Sequence, residues 1–266
     1  MPEKKNIAIL TTVANFDLYK KTSVLFPKDI SRFVIDGTNG MHSLHSIFYM
    51  FKKLKGKEID WLIMADEDVI FADNSKVFEL INYMALNKYS VCGVRDGGMI
   101  SHRNQNPHSI NTFFSILHFS EIEKVFNLKE IKTNHYISAK EFKDDLKHLN
   151  FGHAVDSLYE PYYGFYFWLR RKNFKFLFLK AEMPFQEDNI TNSVFMPNGD
   201  LLLYHTWYAR TYGSNKKHTA RIDKVLEKTT QQQKNTVDPV IFKDRFFALK
   251  EYCKKTIRKI KIKLKN

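Results

Sequence analysis

The chain predicts an α/β fold: a parallel or mixed sheet with helices on both faces, followed by a basic amphipathic helix. Three observations carry this. Short apolar runs alternate with helical periodicities through roughly the first half; the runs end in acidic or hydroxyl residues; and the last two dozen residues repeat apolar positions at helical spacing among lysines. With 266 residues, 44% hydrophobic and 15% aromatic, the chain is long enough to bury a sizeable core and far from the composition of a disordered one.

The elements follow in order. Residues 6–14 (NIAILTTVA) read as a buried strand ending in small and hydroxyl side chains, which suit a loop that approaches a ligand. Residues 31–35 (SRFVI) are a second strand, and residues 36–40 (DGTNG) a turn. Residues 43–54 place Leu44, Ile47, Phe48 and Phe51 on one helical face. Residues 61–65 form the third strand, 74–88 a helix, 89–94 and 112–119 further strands.

The second half is less regular. Residues 129–158 read as a polar loop-rich stretch, Pro161 as part of the first turn of a helix reaching about Lys172, and 174–179 as a strand. Residues 186–199 read as a mobile loop, 200–204 (DLLLY) as a strand delivering His205, and 214–239, with Gln231-Gln232-Gln233, as a surface linker. From Phe242 the apolar positions are Phe246, Leu249, Cys253, Ile257, Ile260 and Leu264, at steps of 4, 3, 4, 4, 3 and 4. That stripe suits a helix lying on an anionic membrane surface, an amphipathic partner or the domain itself.

Net charge is +13, which favours anionic partners. Ten Lys or Arg against two acids in residues 243–266 place +8 of it in the tail, so a nucleic-acid-binding face is not expected in the body. Cys92 and Cys253 have no metal or disulfide spacing, pointing to a reducing cytoplasm. The N-terminus reaches its first apolar run after five residues, without the pattern of a signal peptide, and no run is long enough to span a bilayer.

The stretch with most chemistry is WLIMADEDVIF, residues 61–71, where Asp66, Glu67 and Asp68 interrupt an apolar run. Three adjacent carboxylates repel one another unless a cation offsets them. On an extended segment Asp66 and Asp68 would point the same way, able to hold Mg²⁺ or Mn²⁺ against a diphosphate. An EF-hand is excluded because its sixth and twelfth positions would be Phe71 and Val77. His205 adds an imidazole, which favours Mn²⁺ over Mg²⁺. Thr11, Thr12 and Asp36 stand at neighbouring strand ends, Arg95-Asp96-Gly97-Gly98 follows another, and Arg210 follows His205.

WLIMADEDVIF, preceded by IAILTTVANF and FVIDGTNG and followed by LLLYHTWYAR, resembles GT-A glycosyltransferases, nucleotide-sugar enzymes with a Rossmann-like mixed sheet, over roughly residues 6–212. The resemblance implies a catalytic domain at 1–213 (nucleotide-binding half 1–100, acceptor half 101–213); composition and periodicity add a linker at 214–240 and a basic helix at 241–266. It also implies a nucleoside diphosphate donor near Thr11, Thr12, Ala14, Asp36, Asp66, Glu67, Arg95 and Arg210, with a divalent cation on Asp66, Asp68 and His205. The segment AVDSLYEPYYGFYFWLRRKNFKF resembles the family's acidic helix start, which makes Glu160 the expected base and Asp156 the next choice. The expected reaction is inverting transfer of a UDP-linked sugar to a glycan or lipid-linked acceptor at the inner face of a bacterial plasma membrane. A metal-dependent phosphatase or nucleotidyltransferase would use the same acids.

Overall fold

The computed structural model describes residues 3–229 and 238–263. The first half runs β1 (Ile7–Val13), α1 (Phe16–Thr22), β2 (Ser31–Asp36), α2 (Leu44–Leu54), β3 (Trp61–Ala65), β4 (Val69–Phe71), α3 (Lys76–Leu86) and β5 (Val91–Arg95). A hairpin of β6 (Gly97–Ile100) and β7 (Arg103–Asn104) leads into β8 (Ile110–His118), α4 (Phe119–Val125), α5 (Leu128–Thr133) and α6 (Tyr163–Arg171). The rest comprises β9 (Phe176–Leu179), β10 (Ala181–Glu182), β11 (Asn192–Phe195), β12 (Leu201–His205), α7 (Lys216–Thr229), β13 (Val240–Phe242) and α8 (Phe247–Lys263).

Seven strands form the central sheet in the order β13-β2-β1-β3-β8-β5-β9, and four more form a second sheet, β10-β11-β12-β4. The central sheet is mixed: β1 runs parallel to β2 and β3, whereas β8 is antiparallel to both β3 and β5. Along β1, Ile7 and Ile9 enter one core cluster while Ala8 and Leu10 enter the other, following the two-residue alternation of a strand. Helices α2 and α6 bury Met50, Phe51, Phe165 and Trp168 on the Leu10 side. On the Ile9 side α3 contributes Leu80 and Met84, and the second sheet contributes Phe71 and Leu203. This is the predicted mixed α/β architecture, with a second sheet added to one layer.

Several segments differ from expectation. Residues 128–133 of the polar stretch are helical, because Asn127 caps α5 by accepting from the Lys129 and Glu130 amides. The expected loop at 186–199 contains β11, whose Asn192 and Ser193 are buried against β12. The expected linker contains α7, which buries Ile222, Val225 and Leu226 against Leu18, Leu25 and Ile70. Residues 230–237, including the glutamine run, lie outside the described residues. Helix α6 begins at Tyr163, beyond Pro161, so Glu160 is not in its first turn. The basic segment opens with β13, paired in parallel to β2, and becomes helical only at Phe247. Leu264 lies outside the described residues.

Candidate active site

The acidic run marks the point where the chain leaves one sheet for the other. The Asp66 amide donates to Phe113 O (2.8 Å), and the Val69 amide donates back to Asp66 O (3.1 Å), closing a turn. Residues 69–71 then pair with β12 in the second sheet. Apolar residues on both sides of the acids are thus two strands buried in different sheets. Because residues 66–68 turn, the expected shared direction of Asp66 and Asp68 along an extended segment does not apply.

Pairing of β12 with β4 sets His205 opposite Val69. The Thr206 amide (3.0 Å) and hydroxyl (3.1 Å) both donate to Asp68 O and fix this junction. His205 stacks on Phe113, with ring centroids 3.9 Å apart, and its Nε2 stands 3.4 Å from Asp68 Oδ1. Its Nδ1 is buried without a hydrogen-bond partner among the described residues. A buried imidazole nitrogen facing a carboxylate oxygen, as Nε2 faces Asp68 here, is a donor pair that fits the coordination chemistry of a divalent ion. Among the described residues no three His, Cys, Asp or Glu side chains are grouped to hold a metal by themselves. The expected grouping of Asp66, Asp68 and His205 is thus not found as a three-residue cluster: Asp68 and His205 stand as a close pair, and Asp66 lines the same cavity. An ion that keeps waters and takes substrate phosphates as ligands needs no complete protein cage.

The neighbouring acids are crowded. Burial, reinforced by Asp68 and Glu67, holds the Asp66 carboxyl well above its usual range, with Arg210 opposing the shift. Burial and then Asp68 push Glu67 up to about 7, against hydrogen bonds from the Ala14 and Asn15 amides (2.9 and 3.0 Å). Glu67, expected to bind donor, braces the loop between β1 and α1 and also lines the cavity.

One cavity of about 450 Å³ collects most of the expected site. Thr12 and Ala14 line it from the end of β1, Asp66, Glu67 and Asp68 from the turn, His205 and Arg210 from the segment after β12, and Glu160 from the approach to α6. Trp207 and Tyr208 adopt successive left-handed conformations (φ 57° and 63°) on this wall. Such backbone is costly without support. Trp207 Nε1 donates to Asn192 Oδ1 (2.8 Å), and Asn15 Nδ2 donates to Ala209 O and Tyr212 O (3.0 and 2.9 Å).

Four expected residues stand elsewhere. Thr11 is buried and faces away from Thr12 by strand alternation. Asp36 does not line the cavity; its carboxylate accepts from Thr38 and from Lys243 Nζ (2.6 Å). Burial raises the Asp36 carboxyl, but those bonds more than offset it and hold it below the usual range. The Arg95 guanidinium lies over Phe178 at 3.6 Å and donates to Pro107 O (2.6 Å), bracing a different region. Asp156 lines a separate hollow with Phe142 and Asp144.

The cavity also contains residues that the sequence reading left outside the site: Arg103 and His42, which carried no signal, and Tyr162, whose aromatic ring read as core packing. Arg103 Nη2 donates to Glu160 Oε1 at 2.6 Å. The sequence signal nearby is Arg95-Asp96-Gly97-Gly98, which follows a strand end. The glycines do permit a close backbone approach, but to Gln105: a Cβ on Gly97 would fall 1.9 Å from its carbonyl oxygen.

No family model and no curated protein matches the chain. Among solved structures, the mannosyltransferase PcManGT from Pyrobaculum calidifontis, in complex with GDP-Man and Mn²⁺, aligns at 8% identity and TM-score 0.32 over 46% of this chain. The chain spans 47% of that protein's length. Apo mouse xyloside xylosyltransferase 1 aligns at 13% identity and TM-score 0.39, covering 67% of this chain and 85% of that one. A glycosyltransferase involved in glycosylation of the major capsid of PBCV-1 aligns at 18% identity and TM-score 0.28, covering 45% and 63% respectively.

Proposed function

We propose that this chain is a metal-dependent glycosyltransferase that moves a sugar, with inversion, from a nucleoside diphosphate donor to a hydroxyl of a glycan or lipid-linked acceptor. The supporting observation is one cavity holding the Asp68–His205 pair, Asp66, Arg210 and Glu160 together. When bound there, a divalent ion, Mn²⁺ by the imidazole criterion, supplies positive charge for a leaving diphosphate. On this reading Asp68 and His205 hold it, and Arg210 on the exposed rim meets the phosphates. The Glu160 carboxylate takes the acceptor proton as the new glycosidic bond forms and the bond to the diphosphate breaks. Thr12 and Ala14 face the donor. UDP is the nucleotide expected from the family resemblance.

The chain's exposed apolar stripe supports an address at a membrane surface. Phe246, Leu249, Ile257 and Ile260 are each more than half exposed, and the exposed Lys250 and Lys254 stand among them. We assign this stripe to an anionic lipid surface at the inner face of a bacterial membrane, where a lipid-linked acceptor resides. Among the described residues no helix is long and apolar enough to cross a membrane.

The test is donor turnover across a panel of nucleotide sugars, with Mn²⁺, with Mg²⁺ and with chelator. Release of nucleoside diphosphate from one donor, dependent on the metal, is expected. Turnover of phosphate monoesters or nucleoside triphosphates with every nucleotide sugar untouched would replace this reading by the phosphatase or nucleotidyltransferase one.

A further inference from the structure

Asp96 lies between β5 and β6 with no exposed surface, and a buried carboxylate must be met by charge and hydrogen bonds. Arg103 supplies both, donating from Nε to Oδ1 (2.5 Å) and from Nη2 to Oδ2 (2.9 Å). Asn111 Nδ2 donates at 2.6 Å, and the Tyr162 and Tyr163 hydroxyls at 3.0 and 2.5 Å. These bonds come from β8 and the start of α6 as well as from β7, so the Asp96 carboxylate has one available orientation. The guanidinium forked onto it is fixed in turn.

The same Nη2 reaches Glu160 Oε1 at 2.6 Å, and the side chains of Arg103 and Glu160 are only 17% and 21% exposed. Glu160 Oε2 makes no side-chain hydrogen bond among the described residues. Other groups near this carboxylate are the Tyr162 hydroxyl, 3.2 Å from Arg103 Nη2, and His135, whose Nε2 meets the Glu160 carbonyl at 3.0 Å. The Tyr159 ring lies 6.0 Å from the guanidinium. One oxygen of Glu160 is therefore tied and the other is left to accept.

We propose that Arg103, anchored by Asp96, is the positioning residue for Glu160: it fixes Oε1 so that Oε2 receives the acceptor hydroxyl's proton. This rests on the transferase reading above. A guanidinium is suited to the task because its rigid fork serves two carboxylates at once, whereas an ammonium is a single point charge.

A double-mutant cycle on the full chain tests it, using the donor and acceptor turned over by the unmodified enzyme. Arg103→Met should lower kcat on the order of 100-fold, the loss associated with a displaced reacting group, with donor KM within about twofold. Glu160→Gln should lower kcat by about 1000-fold. The decisive result is non-additivity: in the Glu160→Gln background, Arg103→Met should cause no further fall. Loss of the same factor in both backgrounds, or a change confined to KM, overturns the assignment. Arg103→Met exposes Asp96 to an uncompensated burial penalty, so thermal melting accompanies each assay. If that variant does not fold, Arg103→Lys decides. It keeps a cation for Asp96, should lose about 10-fold in kcat only while Glu160 is present, and overturns the proposal if fully active. An unmodified enzyme that turns over no nucleotide sugar overturns the transferase reading and this role with it; an active enzyme with additive losses overturns Arg103 alone.

Discussion

His205 Nε2 stands 3.4 Å from Asp68 Oδ1 because β12 is paired antiparallel to β4, the strand that begins at the residue after Asp68. The site is thus built at a seam between two sheets. The relative positions of Asp68 and His205 are set by strand register.

Asp68→Asn should separate metal binding from folding. It removes one charge from a cluster in which Asp66 and Glu67 already repel it, so the melting temperature without metal should stay level or rise. The additional stabilisation produced by Mn²⁺ with nucleoside diphosphate should disappear. A metal-free melting temperature several degrees lower, with the Mn²⁺ response intact, would contradict this account of Asp68.

Removing residues 247–266 should abolish sedimentation with anionic vesicles while preserving metal-dependent donor turnover. The cut leaves β13 in place, together with the Phe242 ring stacked on Phe33 (5.7 Å) and the Lys243–Asp36 ion pair. Each lysine near an anionic surface contributes about 1 kcal/mol, so binding should also weaken with salt. Equal sedimentation of full-length and shortened chains would reject the surface assignment.

Asp144 joins one imidazole and two guanidiniums: His108 Nδ1 at 2.6 Å, Arg170 Nη1 at 2.7 Å and Arg95 Nη1 at 3.4 Å. Burial raises its carboxyl, but the His108 and Arg170 bonds prevail and hold it well below the usual range. A depressed folded-state value means that the unfolded chain takes up this proton first as pH falls. The stabilisation is therefore present above about pH 4 and lost below it. Asp144→Asn should destabilise by about 3 kcal/mol at pH 7, and the gap to wild type should close in urea melts below pH 4. A gap independent of pH would show that lost packing, not charge, is responsible.

Gly97→Ala should destabilise by roughly 1–3 kcal/mol, because its new methyl group meets Gln105 backbone rather than a movable side chain. The same hairpin carries Arg103 on β7, so turnover should fall along with stability. A melting curve unchanged from wild type would show that the hairpin can open at this point without loss.

Strands buried on both faces are legible in sequence because their apolar runs are continuous, and β1, β2 and β3 are found this way. Helix α2 is legible from its stripe. Helix α7 was hidden because half of KKHTARIDKVLEKT is charged and its inner face shows only three large apolar residues, Ile222, Val225 and Leu226. Strand β11 was hidden because half of it, Asn192 and Ser193, is polar yet buried by pairing. At the site, Asp66, Asp68 and His205 could be read as chain positions at strand ends. The direction of the acids could not, since a turn closed by the Val69 amide replaces the extended segment. Arg103 left no readable signal: Asp96 meets it across the short β6–β7 hairpin, which carries no apolar pattern, and Glu160 reaches it only through the tertiary fold.

The most direct measurement is the anomalous scattering of Mn²⁺ in crystals grown with manganese and UDP. The account predicts a peak within bonding distance of an Asp68 carboxylate oxygen and a His205 ring nitrogen, with diphosphate oxygens completing the shell and Arg210 turned toward them. A well-ordered nucleotide whose metal sits away from both side chains, or density at this seam with neither ion nor phosphate beside it, would contradict it.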